Sequence, residues 1–140
     1  MRKLLVAAAL APAALILTAA APVQDILDQL SDKATELFKE KGFTPTGFKS
    51  DGSLAQGASK KIAVTLKGGD LYTIVGMCDG DCKDLNLRLL DSSGSEVDND
   101  LEDDDFPIVA AKAAGGYTIS VEMKGCGPSA CRYRLVAYRQ

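Results

Sequence analysis

Beyond position 60 the chain alternates apolar and polar residues with period two. Ile62, Val64 and Leu66 alternate with Lys61, Thr65 and Lys67, and Gly68-Gly69-Asp70 then marks a turn. Leu71 to Met77 follows, then Leu85, Leu87 and Leu89 with Asn86 and Arg88 between them, then the turn Asp91-Ser92-Ser93-Gly94. A short segment at 96–98, Ile108 to Lys112 after Pro107, Tyr117 to Met123 and Arg132 to Tyr138 complete the series. Short β-segments punctuated by turn signals every 8–12 residues or so predict a mainly β fold, an antiparallel β-sandwich rather than a βαβ layout. Alternation buries one face of each sheet and wets the other. The inward set predicted from phase is Ile62, Val64, Leu66, Tyr72, Ile74, Leu85, Leu87, Leu89, Ile108, Tyr117, Ile119, Val121, Tyr133 and Leu135. Tyr138 is the tyrosine expected on the surface.

Before position 60 the pattern differs. Val23, Ile26, Leu27, Leu30, Ala34, Leu37 and Phe38 form the stripe of an amphipathic helix, assigned to 21–42. Asp25 and Asp28 lie early and Lys39 and Lys41 late, as the helix dipole favours, and Gly42 is placed to end it. Residues 43–59, rich in Gly, Ser, Thr and Pro, read as a linker and loop ahead of a sandwich over 60–140. At the start, Met1-Arg2-Lys3, an apolar run to Leu17 and the small residues Thr18-Ala19-Ala20 have the parts of a secretory signal peptide, 1–20, cleaved after Ala20. The apolar run is shorter than the roughly 20 residues a permanent span needs. The expected location is therefore periplasmic or secreted, with no membrane insertion after cleavage.

Charge and cysteine content narrow the chemistry. The formal net charge is −3, and more negative once Arg2 and Lys3 are removed, which makes nucleic acid a poor partner. The four cysteines, Cys78, Cys82, Cys126 and Cys131, are even in number in an exported chain and read as disulfides. Zinc is disfavoured, because the chain has no histidine and no C-x2-C pair. The short spacings favour Cys78–Cys82 and Cys126–Cys131, with a crossed arrangement left open. Without histidine, Ser-His-Asp and Cys-His catalysis are excluded. A carboxylate pair for glycoside hydrolysis is compatible with the composition, but a small chain without tryptophan offers little of a sugar-stacking cleft.

Four segments in order, GDLYTIV (69–75), DLNLRLLDSSGSEVDND (84–100), FPIVAAKAAGGYTISVEM (106–123) and CRYRLVAY (131–138), resemble the bacterial pre-peptidase C-terminal domain family. The resemblance covers residues 50–140. It implies a jelly-roll-like sandwich of about seven to eight strands, non-catalytic and secreted, some relatives of which bind calcium or matrix proteins such as collagen. Two departures stand out. Asn86 occupies the third position of the D-L-D-L strand, removing a charge from an ion site there, and no peptidase domain accompanies the segment.

Two acidic stretches carry the remaining chemistry. Asp79, Asp81 and Asp84 are oxygen donors around the first cysteine pair, but their spacing does not follow the EF-hand rule. Carboxylates at 98, 100, 102, 103, 104 and 105 repel one another unless wet or neutralised by an ion. The predicted calcium ligands are Asp98, Asp100, Asp103 and Asp104, completed by Asp84 across the sheet. The sequence thus points to an exported, non-catalytic accessory or binding module that takes calcium and recognises a secreted or envelope protein or a polysaccharide. The alternatives are a structural protein assembling through the N-terminal helix and, less favoured, a small carboxylate-dependent hydrolase.

Overall fold

A computed structural model describes residues 13–140; the basic head and most of the apolar run assigned to a leader, residues 1–12, lie outside the described residues. The predicted helix is present as α1, Ile26–Glu40, with Asp25 as its N-cap accepting from the Leu27 amide at 2.9 Å. Eight strands follow: β1 Thr44–Leu54, β2 Ser59–Leu66, β3 Tyr72–Cys78, β4 Asp84–Leu90, β5 Glu96–Asp100, β6 Ile108–Ala111, β7 Gly115–Gly125 and β8 Cys131–Arg139. They form two four-stranded antiparallel sheets, ordered β1-β8-β3-β6 and β2-β7-β4-β5. The sandwich predicted from the period-two pattern is the fold observed.

Between the sheets lie Val64, Leu66, Tyr72, Ile74, Leu85, Leu87, Leu89, Ile119, Val121, Tyr133 and Leu135, all buried. Each side chain of this kind contributes roughly 1.5–3 kcal/mol when fully buried. Three expectations need correcting. Ile108 is 40% exposed, and Val109 is the inward residue of β6, opposite Ile74; an error of one position in a strand exchanges its faces. Tyr138 is buried rather than exposed, because α1 covers the outer face of its sheet. The third is the segment 43–59, which is not a linker for most of its length.

Thr44–Leu54 is an edge strand paired along β8, with a register shift between Pro45 and Lys49. Its phase is hard to see in sequence because the half-buried positions are filled by Thr46, Phe48, Ser50, Gly52 and Leu54. Gly52 is required there: a Cβ at that position would collide with the phenol of Tyr133, its partner across the ladder. Pro45 is tolerated because an edge strand need not donate every amide to a ladder.

The central strands β8 and β3 of sheet β1-β8-β3-β6 are covered on both sides, and so every residue of β3 is buried. Its outer face carries Val75, Met77, Val136 and Tyr138, against which α1 sets Leu27, Ala34 and Phe38. Phe38 stacks on Tyr138 with ring centroids 4.8 Å apart, and the Thr35 and Tyr138 hydroxyls are 3.0 Å apart. Two arginines of β8 fix the start of the helix. Arg132 forks onto Asp25 at 2.9 and 3.1 Å. Arg134, 5% exposed, forks onto Asp51 of β1 at 2.7 and 2.9 Å and donates to Asp28 of α1 at 2.7 Å. Among the described residues no helix is long and apolar enough to cross a membrane.

The hydrogen bond from Arg132 holds the Asp25 carboxyl below its ordinary 3.8, and that from Arg134 does the same for Asp51. A carboxyl depressed on folding stabilises the fold above its unfolded value, and that contribution is lost as pH falls through the folded value. Amide exchange in the first turn of α1, which Asp25 caps, is therefore expected to accelerate below pH 3.8, ahead of exchange in β4. Equal protection in both elements on acidification would contradict this anchoring. Arg134→Ala should cost about 2–3 kcal/mol in urea unfolding, less than a fully buried pair because both carboxylates are half exposed. Gly52→Ala should also destabilise, through the clash with Tyr133, while Gly80→Ala, with open space around it, should not.

Candidate functional site

The two disulfides form as the short spacings favoured, Cys78–Cys82 and Cys126–Cys131. Both brace one end of the sandwich, where β3 enters the turn to β4 and β7 the turn to β8. The Asp79 amide donates to the Arg132 carbonyl at 3.0 Å, and Asp79 Oδ2 accepts from the Arg132 amide at 3.0 Å, tying the two loops together. All four sulfurs are in bridges, so this end holds no dithiol for redox chemistry.

The acidic residues predicted to hold an ion do not act as one set. Asp98 and Asp100 lie on β5 opposite Leu89 and Leu87, which places them on the side facing the other sheet. Asp98 Oδ2 accepts from the Ala110 amide at 2.7 Å, and Asp100 Oδ2 from the Ile108 amide at 2.8 Å. These are amides of β6, the edge of the opposite sheet. The carboxylates thus clasp the two free edges together and cover donors that an edge strand would otherwise show to other chains.

The loop beyond β5 gathers charge. Asp100, Glu102 and Asp104 each place one carboxylate oxygen within 4.8 Å of the others. The Asp104 carbonyl accepts from the Leu85 amide at 2.9 Å, which brings the loop to the start of β4, where the predicted partner Asp84 sits. Burial, then the Asp103 charge, pushes the Asp84 carboxyl above its ordinary value, and its Oδ1 is shut in without a partner. Of the five predicted ligands, Asp100 and Asp104 converge, Asp84 and Asp103 interact alongside them, and Asp98 is spent on β6. Glu102 was not among the predicted ligands; its signal was the i, i+2, i+4 spacing with Asp100 and Asp104. Three oxygens this close fit a shared hard cation, since calcium–oxygen distances of about 2.3–2.6 Å allow donors up to roughly 5 Å apart.

The outer face of β2-β7-β4-β5 is the second feature. Among the described residues no helix packs on it, and the outward residues of β7, Thr118, Ser120 and Glu122, are polar. Asn86 and Arg88 of β4 stand beside Glu122 and Ser120 of β7 in the ladder. The register shift between Asp84 and Leu85 skips Lys124, a bulge of the kind that re-aims a side chain. These five residues and Leu101 line a groove of about 330 Å³. Asn86, only 9% exposed, lies at its floor with Oδ1 unpartnered. In sequence Asn86 is only a missing charge; its burial on an outward phase is set by residues distant in the chain, from β7 and from the loop at Leu101.

No family model matches the chain, and no curated protein matches it. Among solved structures the chain is similar to PliG of Aeromonas hydrophila, a periplasmic inhibitor of g-type lysozyme. Identity is 17%, the TM-score is 0.44, and the likeness covers 66% of this chain and 85% of that one. Function does not follow from such a likeness, because one sandwich architecture hosts many unrelated activities.

Removing the clasp should loosen the paired edges. Asp98→Ala strands the half-buried Ala110 amide and should lower unfolding stability by about 1–2 kcal/mol, while Asp100→Ala opens the exposed Ile108 amide to water and should cost less. Hydrogen exchange of the Ala110 and Ile108 amides should rise in the respective variant. Unchanged protection at both amides would show that the carboxylates do not hold the edge.

Proposed function

We propose that the protein is an exported, non-catalytic binding module of the pre-peptidase C-terminal kind, whose acidic loop is set by a calcium ion. The observation that carries the ion is the convergence of Asp100, Glu102 and Asp104 within 4.8 Å. Three carboxylates at that spacing repel one another, and a hard cation relieves the repulsion while ordering the loop against β4. The shut-in Oδ1 of Asp84 beside this loop adds to the demand for positive charge. Export is supported by the leader pattern and by two short-range disulfides, which persist in oxidising compartments. The order of the four quoted segments supports the family reading.

Absence of catalysis rests on chemistry. The chain has no histidine, and its cysteines are bridged. The partners of such a module are a secreted or envelope protein or a polysaccharide. A second reading, assembly through α1, has one observation in its favour: Leu37 is 43% exposed beside an apolar hollow lined by Leu30, Ala34 and Phe106. Against it, Leu27, Ala34 and Phe38 are already committed to the protein's own sheet.

Calcium should raise the melting temperature and chelator should lower it, by an amount equivalent to about 2.7 kcal/mol at a hundred times the dissociation constant. Asp104→Asn should abolish the shift while leaving the chelator-treated melt unchanged or slightly higher. A melt indifferent to both calcium and chelator removes the ion from the reading. Leu37→Glu should leave a monomeric sedimentation mass unaltered; conversion of a wild-type oligomer to monomer would favour the assembly reading.

A further inference from the structure

We propose that the free edge of β2 takes up an extended, acidic segment of a partner protein as an added strand. The inference rests on the binding-module reading, whose partner it specifies, and makes no use of the calcium site.

The two sheets end in the edge strands β1 and β6 and the edge strands β2 and β5, and an edge offers its unused amides and carbonyls to other chains. Three of these edges are blunted. β1 carries Pro45 and an irregular register between Pro45 and Lys49. β6 is four residues long, and Asp98 and Asp100 of β5 cap its outward amides. β5 spends those carboxylates on the clasp and is itself irregular opposite Leu89 and Leu90. β2 has none of these devices. Its eight residues, Ser59–Leu66, contain no proline or glycine and pair with β7 in unbroken register.

The phase of the ladder shows which groups are free. The Met123 amide of β7 donates to the Ala58 carbonyl at 3.0 Å, so Lys60, Ile62, Val64 and Leu66 turn their backbone groups to β7. Ser59, Lys61, Ala63 and Thr65 turn theirs outward, and all four are exposed. Among the described residues no strand or loop bonds them from that side.

Main-chain pairing gives such an edge affinity, and side chains give it a choice of partner. β2 carries Lys60 and Lys61, Lys67 follows its end, and the strand has no acid. All three lysines are exposed, and among the described residues none is in an ion pair. Lys60 shares the face of Ile62 and Val64, and Lys61 lies on the opposite face with Ala63. A strand laid alongside alternates in the same way, so two adjacent acids on it meet one lysine on each face. Opposite charges across a strand pair attract, and like charges repel. A second copy of this edge would bring only the same lysines. The edge therefore selects against its own copy and for an acidic strand.

The test uses the full mature chain, labelled with ¹⁵N, and a capped peptide as long as β2, built of β-branched residues around a central Glu-Glu pair. One control peptide carries Lys-Lys instead. A second keeps the acids but is N-methylated on the amides that would face β2. The acidic peptide should slow hydrogen exchange at the Lys61, Ala63 and Thr65 amides, while Ile62 and Val64, already bonded to β7, change little. Ala63→Pro removes one outward donor without touching the β7 ladder; it should weaken binding about tenfold and leave the melting temperature unchanged. Lys60→Glu combined with Lys61→Glu should reverse the preference toward the Lys-Lys peptide. The proposal is overturned if the acidic peptide leaves these amides unprotected, if either control binds as well, or if the charge-reversed variant keeps the acidic preference. Protection of the same amides that rises with protein concentration, without peptide, overturns it in favour of a second copy. Mass spectrometry of the recovered peptide separates the two levels: a cut peptide sinks the non-catalytic reading, whereas an intact, unbound one sinks the edge proposal alone.

Discussion

Arg134 of β8 joins three elements of this protein, its own strand, the edge strand β1 and the helix α1. Its guanidinium is buried beneath α1, and a buried cation is tolerated only where carboxylates meet it. One of these, Asp51, comes from the edge strand β1, and the other, Asp28, from the helix. The same charge therefore fixes β1 beside β8 and α1 across β8 and β3. Where that helix lies decides which surfaces remain free. With Leu27, Ala34 and Phe38 pressed onto Val75, Met77 and Tyr138, the middle of one sheet is closed on both faces, while among the described residues no helix packs on the outer face of the other.

The acidic residues divide between two tasks that a formal charge count does not separate. Asp98 and Asp100 reach from one sheet edge to the amides of the other, so that the open side of the sandwich is closed by side chains where no ladder runs. Asp104 and Glu102 extend the charge past the end of β5 and meet Asp100 from the far side. Asp100 belongs to both groups. An ion at the loop would thus bear directly on the edge clasp, which links local coordination chemistry to the stability of the whole domain.

The cystine-braced end leads into the open face. The bridge Cys78–Cys82 fixes the approach to β4, on which Asp84, Asn86 and Arg88 point outward in succession. The bulge at Lys124 then turns one further side chain toward them. A polar row on a flat sheet is ordinarily well hydrated and unremarked. What distinguishes this one is that its central amide has been walled in.

The sequence by itself determined the periodic elements and their chemistry. Alternation over Ile62–Leu66, Leu85–Leu89 and Tyr117–Met123 set strands, faces and most of the core, and the apolar stripe of 26–38 set the helix. Two short cysteine spacings anticipated the bridges, because such loops close with little searching. Tertiary structure decided whatever depended on a neighbour distant in the chain. Thr44–Leu54 is a strand because β8 supplies its ladder and Tyr133 demands Gly52; neither is written in its own composition. Tyr138 is buried because α1 lies over it, and the carboxylates of 98–104 acquired separate roles only when β6 and β4 came within reach. Local pattern reports how a segment meets water on average, whereas pairing, burial and convergence are relations between segments, and those exist only after folding.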